Sequence, residues 1–263
     1  MRMLSSLAIA MALTVPMLAQ AADAPLPGTG KSVVIVPGSF VDGSGWRVVH
    51  DILIHKGYKV TVVHQGHESL AADVAEAREV LEQQVGPVVL VGHSSGGGVI
   101  SIAGDRDKVK SLVYVSALQP EVGENMAQLI GSMPAPSDDI KASRDGHLFF
   151  DRTQFNADFA ADLTTNRTDF MAASQVPATT ALFGGTVWAA AWHKKPTYAV
   201  VSTEDRALSP DLQRWMYKRA GSKVTEIKPA TRCTSPSLRL WQRSSKTRLP
   251  LSSNSPHPPE KHP

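Results

Sequence analysis

Cysteine is nearly absent. Cys233 stands alone among 263 residues, so no intramolecular disulfide can form and Cys-rich zinc binding is excluded. Long apolar runs are missing too. The one candidate, residues 4–18, is too short and too lightly flanked for a stable transmembrane helix. Arg2 precedes it and the small-x-small Ala19-Gln20-Ala21 follows, so residues 1–22 read as an export signal. No cysteine sits beside the cleavage region, which argues against a lipoprotein anchor. The expectation is a soluble chain, periplasmic or secreted from a bacterium, with no membrane association once the signal is removed.

Acidic residues are missing from one stretch. None occurs in residues 227–259, and from Thr231 onward six Lys/Arg face a single acid, Glu260. The formal charge of +3 comes from that tail; the remainder carries 21 basic and 23 acidic residues, a net of −2. The basic balance therefore gives no support to a nucleic-acid partner.

What is present is strand–helix alternation. Residues 31–37 (KSVVIVP) form an apolar, β-branched run, expected as a buried strand. Trp46, Val49 and Leu53 recur at helical spacing up to Gly57. Residues 58–64 alternate as a second strand, and Ser69 is placed to cap a helix running to about Gln84. Residues 87–91 are a third strand running straight into Gly92-His93-Ser94, and residues 109–115 a fourth. This rhythm implies a mostly parallel sheet covered by helices on both faces. It stops near Gln119. Residues 119–195 lack strand signals and carry scattered helical pieces, such as 155–163 and 168–174, which reads as a cap. It resumes with a strand at 197–202, a helix at 210–220 ended by Gly221, and a last strand at 223–228. The expected organisation is a core of residues 28–118 and 196–230, a cap of 119–195 and an aberrant tail of 231–263.

The chemistry-bearing motif is Gly92-His93-Ser94-Ser95-Gly96. It follows a buried strand and opens a small-residue helix, the context a nucleophile elbow requires. A sharp turn would hold the Ser94 hydroxyl clear of the sheet, and glycines on either side would remove clashing Cβ atoms. A neutral serine hydroxyl is a poor nucleophile without an adjacent base, and the oxyanion formed on attack needs backbone donors. One donor would be the N–H of Ser95; the other would come from the loop Pro37-Gly38-Ser39-Phe40. His93 neighbours Ser94 in sequence, but an elbow turns the two side chains apart, which leaves His93 as a packing residue.

These residues resemble the esterase and hydroxynitrile-lyase-like branch of the alpha/beta-hydrolase superfamily, which includes bacterial carboxylesterases. The resemblance rests on Val34-Ile35-Val36-Pro37-Gly38-Ser39-Phe40, on Trp46, on the elbow, on Phe170-Met171-Ala172-Ala173-Ser174-Gln175 and on Trp192 to Pro196. Pro37 departs from it, standing where the branch usually has histidine. The resemblance implies an alpha/beta-hydrolase fold with a small helical cap. It also implies hydrolysis of small carboxylic esters through a serine acyl-enzyme, without metal or organic cofactor. It assigns Ser94 as nucleophile, Ser39 and Ser95 as oxyanion donors and Asp205 as triad acid, with Glu204 as the neighbouring rival.

The same resemblance places the catalytic base just after residues 228–230, in a Ser-His pair. This chain reads Ala230-Thr231-Arg232-Cys233 there, and no histidine follows until His257. Codons exist for residues 230–248 whose adjacent frame encodes His-Ala-Val-Tyr-Ile-Ser-Gln-Pro-Pro-Ala-Val-Ala-Ala-Val-Ile-Glu-Asp-Ala, with amphipathic helical spacing after the histidine. The tail is therefore expected to be out of frame, against the alternative of a genuine basic, disordered extension. Function stays open between an ester hydrolase impaired by loss of the triad histidine, a hydroxynitrile-lyase-like enzyme and an inactive ligand-binding relative. A lysine in the pocket would favour the lyase, with Lys194 and Lys195 as candidates.

Overall fold

A computed structural model describes residues 31–228. The export-signal segment and the tail from Thr231, with Cys233 and His257, lie outside the described residues. The chain opens with β1 (Ser32–Val36), a 3-10 turn (Gly43–Trp46), α1 (Arg47–His55) and β2 (Lys59–Val62). Next come α2 (Leu70–Glu82), β3 (Val88–Ser94), α3 (Gly96–Ala103) and β4 (Val109–Ala117). A long excursion follows: α4 (Met126–Ser132), β5 (Ile140–Ala142), β6 (His147–Phe150), a π-helical turn (Phe155–Phe159), α5 (Thr165–Ala173), β7 (Ala178–Thr179) and α6 (Thr180–Gly184). The chain returns through a 3-10 turn at Ala191–His193 to β8 (Thr197–Ser202), α7 (Pro210–Arg219) and β9 (Lys223–Ile227).

Six strands pair in parallel in the order β2-β1-β3-β4-β8-β9. The apolar runs explain why both faces are covered. In β1 and β3, Val34, Val36 and Leu90 join the cluster holding Leu70, Val74 and Ile100. Alternate residues Val33, Ile35, Val89 and Val91 pack with Trp46, Val49 and Leu53 on the other face. Strands buried on both faces read as unbroken hydrophobic runs rather than as alternation. Local signals set the helix starts: the Ser69 hydroxyl accepts the Ala72 N–H at 3.2 Å, and Ser209 with Pro210 opens α7.

The excursion corrects one expectation. Residues 119–195, which carry no strand signal in sequence, contain a three-stranded antiparallel sheet in the order β5-β6-β7. Its strands have two to four residues, and Lys141 and Ala142 are exposed, so neither length nor hydrophobic period marks them. The expected helical piece at 155–163 is a single π-helical turn, whose Phe155 and Phe159 rings pack at 4.7 Å. The second helical piece is α5, starting three residues earlier than its apolar spacing suggested.

Tyr217 ties α7 to the carboxyl end of β4. Its hydroxyl donates to the Ala117 carbonyl and accepts the Ala117 N–H, each at 2.8 Å, with the ring fully buried. Tyr217→Phe leaves both backbone groups without that partner. Urea unfolding should show a loss of about 1–3 kcal/mol, the usual penalty for orphaned buried polar groups.

Candidate active site

Ser94 ends β3 with φ +50°, in the left-handed region that strains a residue bearing Cβ. The β3–β4 register slips between His93 and Ser94, and the Ser94 carbonyl accepts the Leu118 N–H at 3.0 Å. The turn closes only because its neighbours are small. A Cβ on Gly96 would lie 2.4 Å from the Pro37 carbonyl oxygen, and one on Gly38 would lie 2.6 Å from Ser94 Cβ. Thus α3 packs against the end of β1, and the loop after β1 packs against the serine.

Ser39 and Ser95 meet across that contact. The Ser39 N–H donates to Ser95 Oγ at 2.9 Å, and the two hydroxyl oxygens are 2.8 Å apart; both residues are buried. In this state the Ser39 N–H is engaged by the neighbouring hydroxyl. The next residue, Phe40, has φ +70° and donates its N–H to the Val176 carbonyl at 3.2 Å, which holds the loop against the excursion.

Asp205 sits in the loop after β8. Its Oδ1 accepts the Ala207 and Leu208 N–H groups at 3.0 and 2.9 Å, and its Oδ2 accepts from Gln213 Nε2 at 2.8 Å. Burial raises its pKa to about 6, and the three donors oppose that rise. Glu204 turns outward to an ion pair with Lys228 at 2.9 Å. Arg206 pairs with Asp158 of the π-helical turn, and its carbonyl accepts from both the N–H and the hydroxyl of Ser137.

Ser94 and Asp205 line one cavity of about 110 Å³, together with Ser116, Asp158 and Phe159. A larger apolar cavity of about 540 Å³, walled by Ile140, Leu148, Phe150 and Phe183, abuts it at Ala207. His93 touches the smaller cavity, but its ring stands edge-on to Trp46 at 5.9 Å on the far side of the sheet, and burial lowers its pKa to about 4. Among the described residues no histidine is hydrogen-bonded to the Ser94 hydroxyl. Lys194 and Lys195 line neither cavity; Lys195 donates to the Arg106 carbonyl at 3.2 Å.

Sequence reasoning missed three participants. Gln213, eight residues beyond Asp205, is placed by α7, whose Ser209-Pro210 start was legible although its consequence for Asp205 was not. Ser116 reaches the cavity because it too has positive φ, 43°, which no local motif announces. The Ser95 hydroxyl bond to Ser39 is a contact between residues 56 positions apart.

Residues 33–237 match the family model for the alpha/beta hydrolase family, and the chain belongs to that family. Its similarities run to esterases. A carbendazim-hydrolysing esterase from Nocardioides sp. (strain SG-4G) is 32% identical over 111 residues, 37% of this chain and 46% of that one. The match thus spans about half the length of that enzyme. A pyrethroid hydrolase from Sphingobium faniae JZ-2 superposes with a TM-score of 0.68 at 20% identity, over 83% of this chain and 96% of that one. Polyneuridine aldehyde esterase gives 0.68 at 18%, over 82% and 96%. An extracellular alpha/beta-hydrolase from a Paenibacillus species gives 0.67 at 17%, over 82% and 98%. At these identities the structural likeness establishes the fold.

Proposed function

We propose that this chain is a serine esterase of small carboxylic esters whose acylation step is impaired because the triad histidine is missing. The observation that carries the reading is Ser94, held at positive φ at the end of β3 and facing the cavity it shares with Asp205. Ser94 Oγ attacks the ester carbonyl carbon, the alcohol leaves, and water releases the acid from the acyl-serine. The N–H groups of Ser95 and Ser39 hold the oxyanion, which requires the Ser95 hydroxyl to release the Ser39 N–H on substrate entry. Asp205 is the acid that would orient a base, since its carboxylate faces the cavity and Glu204 is turned to Lys228. The leader-like residues 1–22 support export to the periplasm or beyond. The out-of-frame tail is the cause we assign to the missing base.

A fluorophosphonate tests the nucleophile directly. It should add one phosphonyl group to the full chain, slowly for want of a base, on the peptide containing Ser94, and Ser94→Ala should take none. A second reading, an inactive ligand-binding relative, is favoured by the lack, among the described residues, of any histidine on the Ser94 hydroxyl. It would replace the first if Ser94 stayed unmodified while the chain and Ser94→Ala bound a non-hydrolysable ester analogue equally well.

A further inference from the structure

We propose that Ser95 is a positioning residue whose hydroxyl withholds the Ser39 N–H from a neutral ester carbonyl and yields it only to the oxyanion. The proposal rests on reading Ser94 as the nucleophile and the Ser39 and Ser95 N–H groups as the oxyanion donors.

Ser95 stands at the start of α3, where a serine hydroxyl ordinarily accepts an N–H of its own helix. It makes no such bond. It reaches instead to a residue 56 positions away, accepting the Ser39 N–H at 2.9 Å with the Ser39 hydroxyl at 2.8 Å. Both residues are 2% exposed, and neither lines the cavity that Ser94 shares with Asp205. The donor is therefore buried and satisfied by a side chain. The backbone around it has little room to move. A Cβ on Gly38 would lie 2.6 Å from Ser94 Cβ, and the Phe40 N–H is bonded to Val176. Release of the donor thus falls to rotation of the Ser95 side chain. The Ser39 hydroxyl, already in contact, is the group that keeps Ser95 Oγ partnered once the N–H is given up.

Energetics decide when the exchange happens. A neutral carbonyl offers the Ser39 N–H a bond no better than the one it has. An oxyanion offers a charge-assisted bond about twice as strong. The N–H therefore changes partner as charge develops on the substrate oxygen, which makes it a donor to the transition state and not to the bound ester. Only an interaction stronger in the transition state accelerates the chemical step. Ser95 accordingly weakens substrate binding without slowing turnover.

The test is phosphonylation of the full chain by a fluorophosphonate over a range of concentrations, which separates reversible binding (KI) from the bond-forming rate (kinact). Ser94 Oγ bonds to phosphorus, the P–F bond breaks, fluoride leaves and the Ser94 proton passes to water. Ser95→Ala frees the donor for the neutral phosphoryl oxygen, so KI should fall about 5-fold, the worth of one ordinary hydrogen bond, with kinact unchanged. Ser39→Ala keeps the N–H but removes the partner that receives Ser95 Oγ. Its kinact should fall about 10-fold, as expected for an orphaned buried hydroxyl, with KI unchanged. Ser95→Cys, whose thiol is a weak acceptor, should lower KI as Ser95→Ala does, and replaces it if circular dichroism shows the alanine variant unfolded. An unchanged KI in the Ser95 variants overturns the proposal, as does a shift of both constants in the same direction in both serine variants, the mark of simple loosening. Either result leaves the nucleophile standing as long as Ser94 is the residue labelled. No labelling of Ser94 in the chain or its variants overturns both readings.

Discussion

Replacing residues 230–248 with the adjacent-frame sequence beginning His-Ala-Val-Tyr should raise kcat/KM for 4-nitrophenyl acetate by on the order of 10⁴-fold. That factor is a lower bound: loss of a triad acid costs about 10⁴ in kcat and loss of the histidine about 10⁶, with oxyanion stabilisation and binding supplying the residual rate. The argument is geometric. β9 ends at Ile227, beside β8, whose following loop carries Asp205. A histidine shortly after β9 emerges at the same end of the sheet as that carboxylate. The pH profile gives an independent readout. Asp205 has its pKa raised to about 6 by burial, so below that value it is protonated and cannot stabilise an imidazolium. An unperturbed histidine also becomes neutral only above about 6.5. The restored enzyme should therefore gain rate as pH rises through 6 to 7 and then level off. Asp205→Asn should depress the plateau. A restored chain no faster than the present one would show that Asp205 and the new histidine do not cooperate with Ser94.

Gly97→Ala should be among the most damaging single substitutions in the fold. Alanine in a helix is ordinarily worth about 1 kcal/mol over glycine, so propensity alone forecasts a gain. Contact reverses the sign. The added Cβ would sit 2.0 Å from the Leu118 carbonyl oxygen and 2.9 Å from Ala117 Cβ. Neither neighbour can withdraw: Leu118 is bonded to Ser94, and Ala117 is bonded on both its backbone groups to Tyr217. Overpacking against fixed backbone costs about 3 kcal/mol, and at this size that corresponds to a fall of roughly 6–12 °C in Tm. Gly131 in α4 is the control, since a Cβ there meets nothing within 4 Å. Gly131→Ala should leave Tm unchanged or slightly raised. Equal Tm values for the two variants would refute the steric account.

Much of this architecture was legible because burial writes itself into composition. The strand at 197–202 is found at those residues as β8, and Ser69 caps α2 through its hydroxyl as its residue type forecasts. Each follows from neighbours in sequence. The short strands of the excursion do not. β6 pairs with β7 some thirty positions away, Leu148 opposite Ala178, and neither strand is long enough to show a period. The candidate site divides along the same line. Ser94 could be found because the strand, the turn and the small residues that force its conformation are contiguous. Asp205 came from resemblance alone. Gln213, Ser116 and the Ser39–Ser95 bond exist only once distant segments meet.

Three ties described above fasten the excursion to the sheet: Phe40 to Val176, the Arg206 carbonyl to Ser137, and Arg206 to Asp158. One grips the loop after β1 and two grip the loop of Asp205, so both jaws around Ser94 are clamped by the same lid. Their anchors on the lid are short or partly exposed segments, which places them at the low end of local stability. Warming should therefore slacken the clamp before the parallel sheet melts. The candidate site should then lose its order at a lower temperature than the sheet, and a thermal scan that follows only the sheet would overstate the temperature at which the site survives.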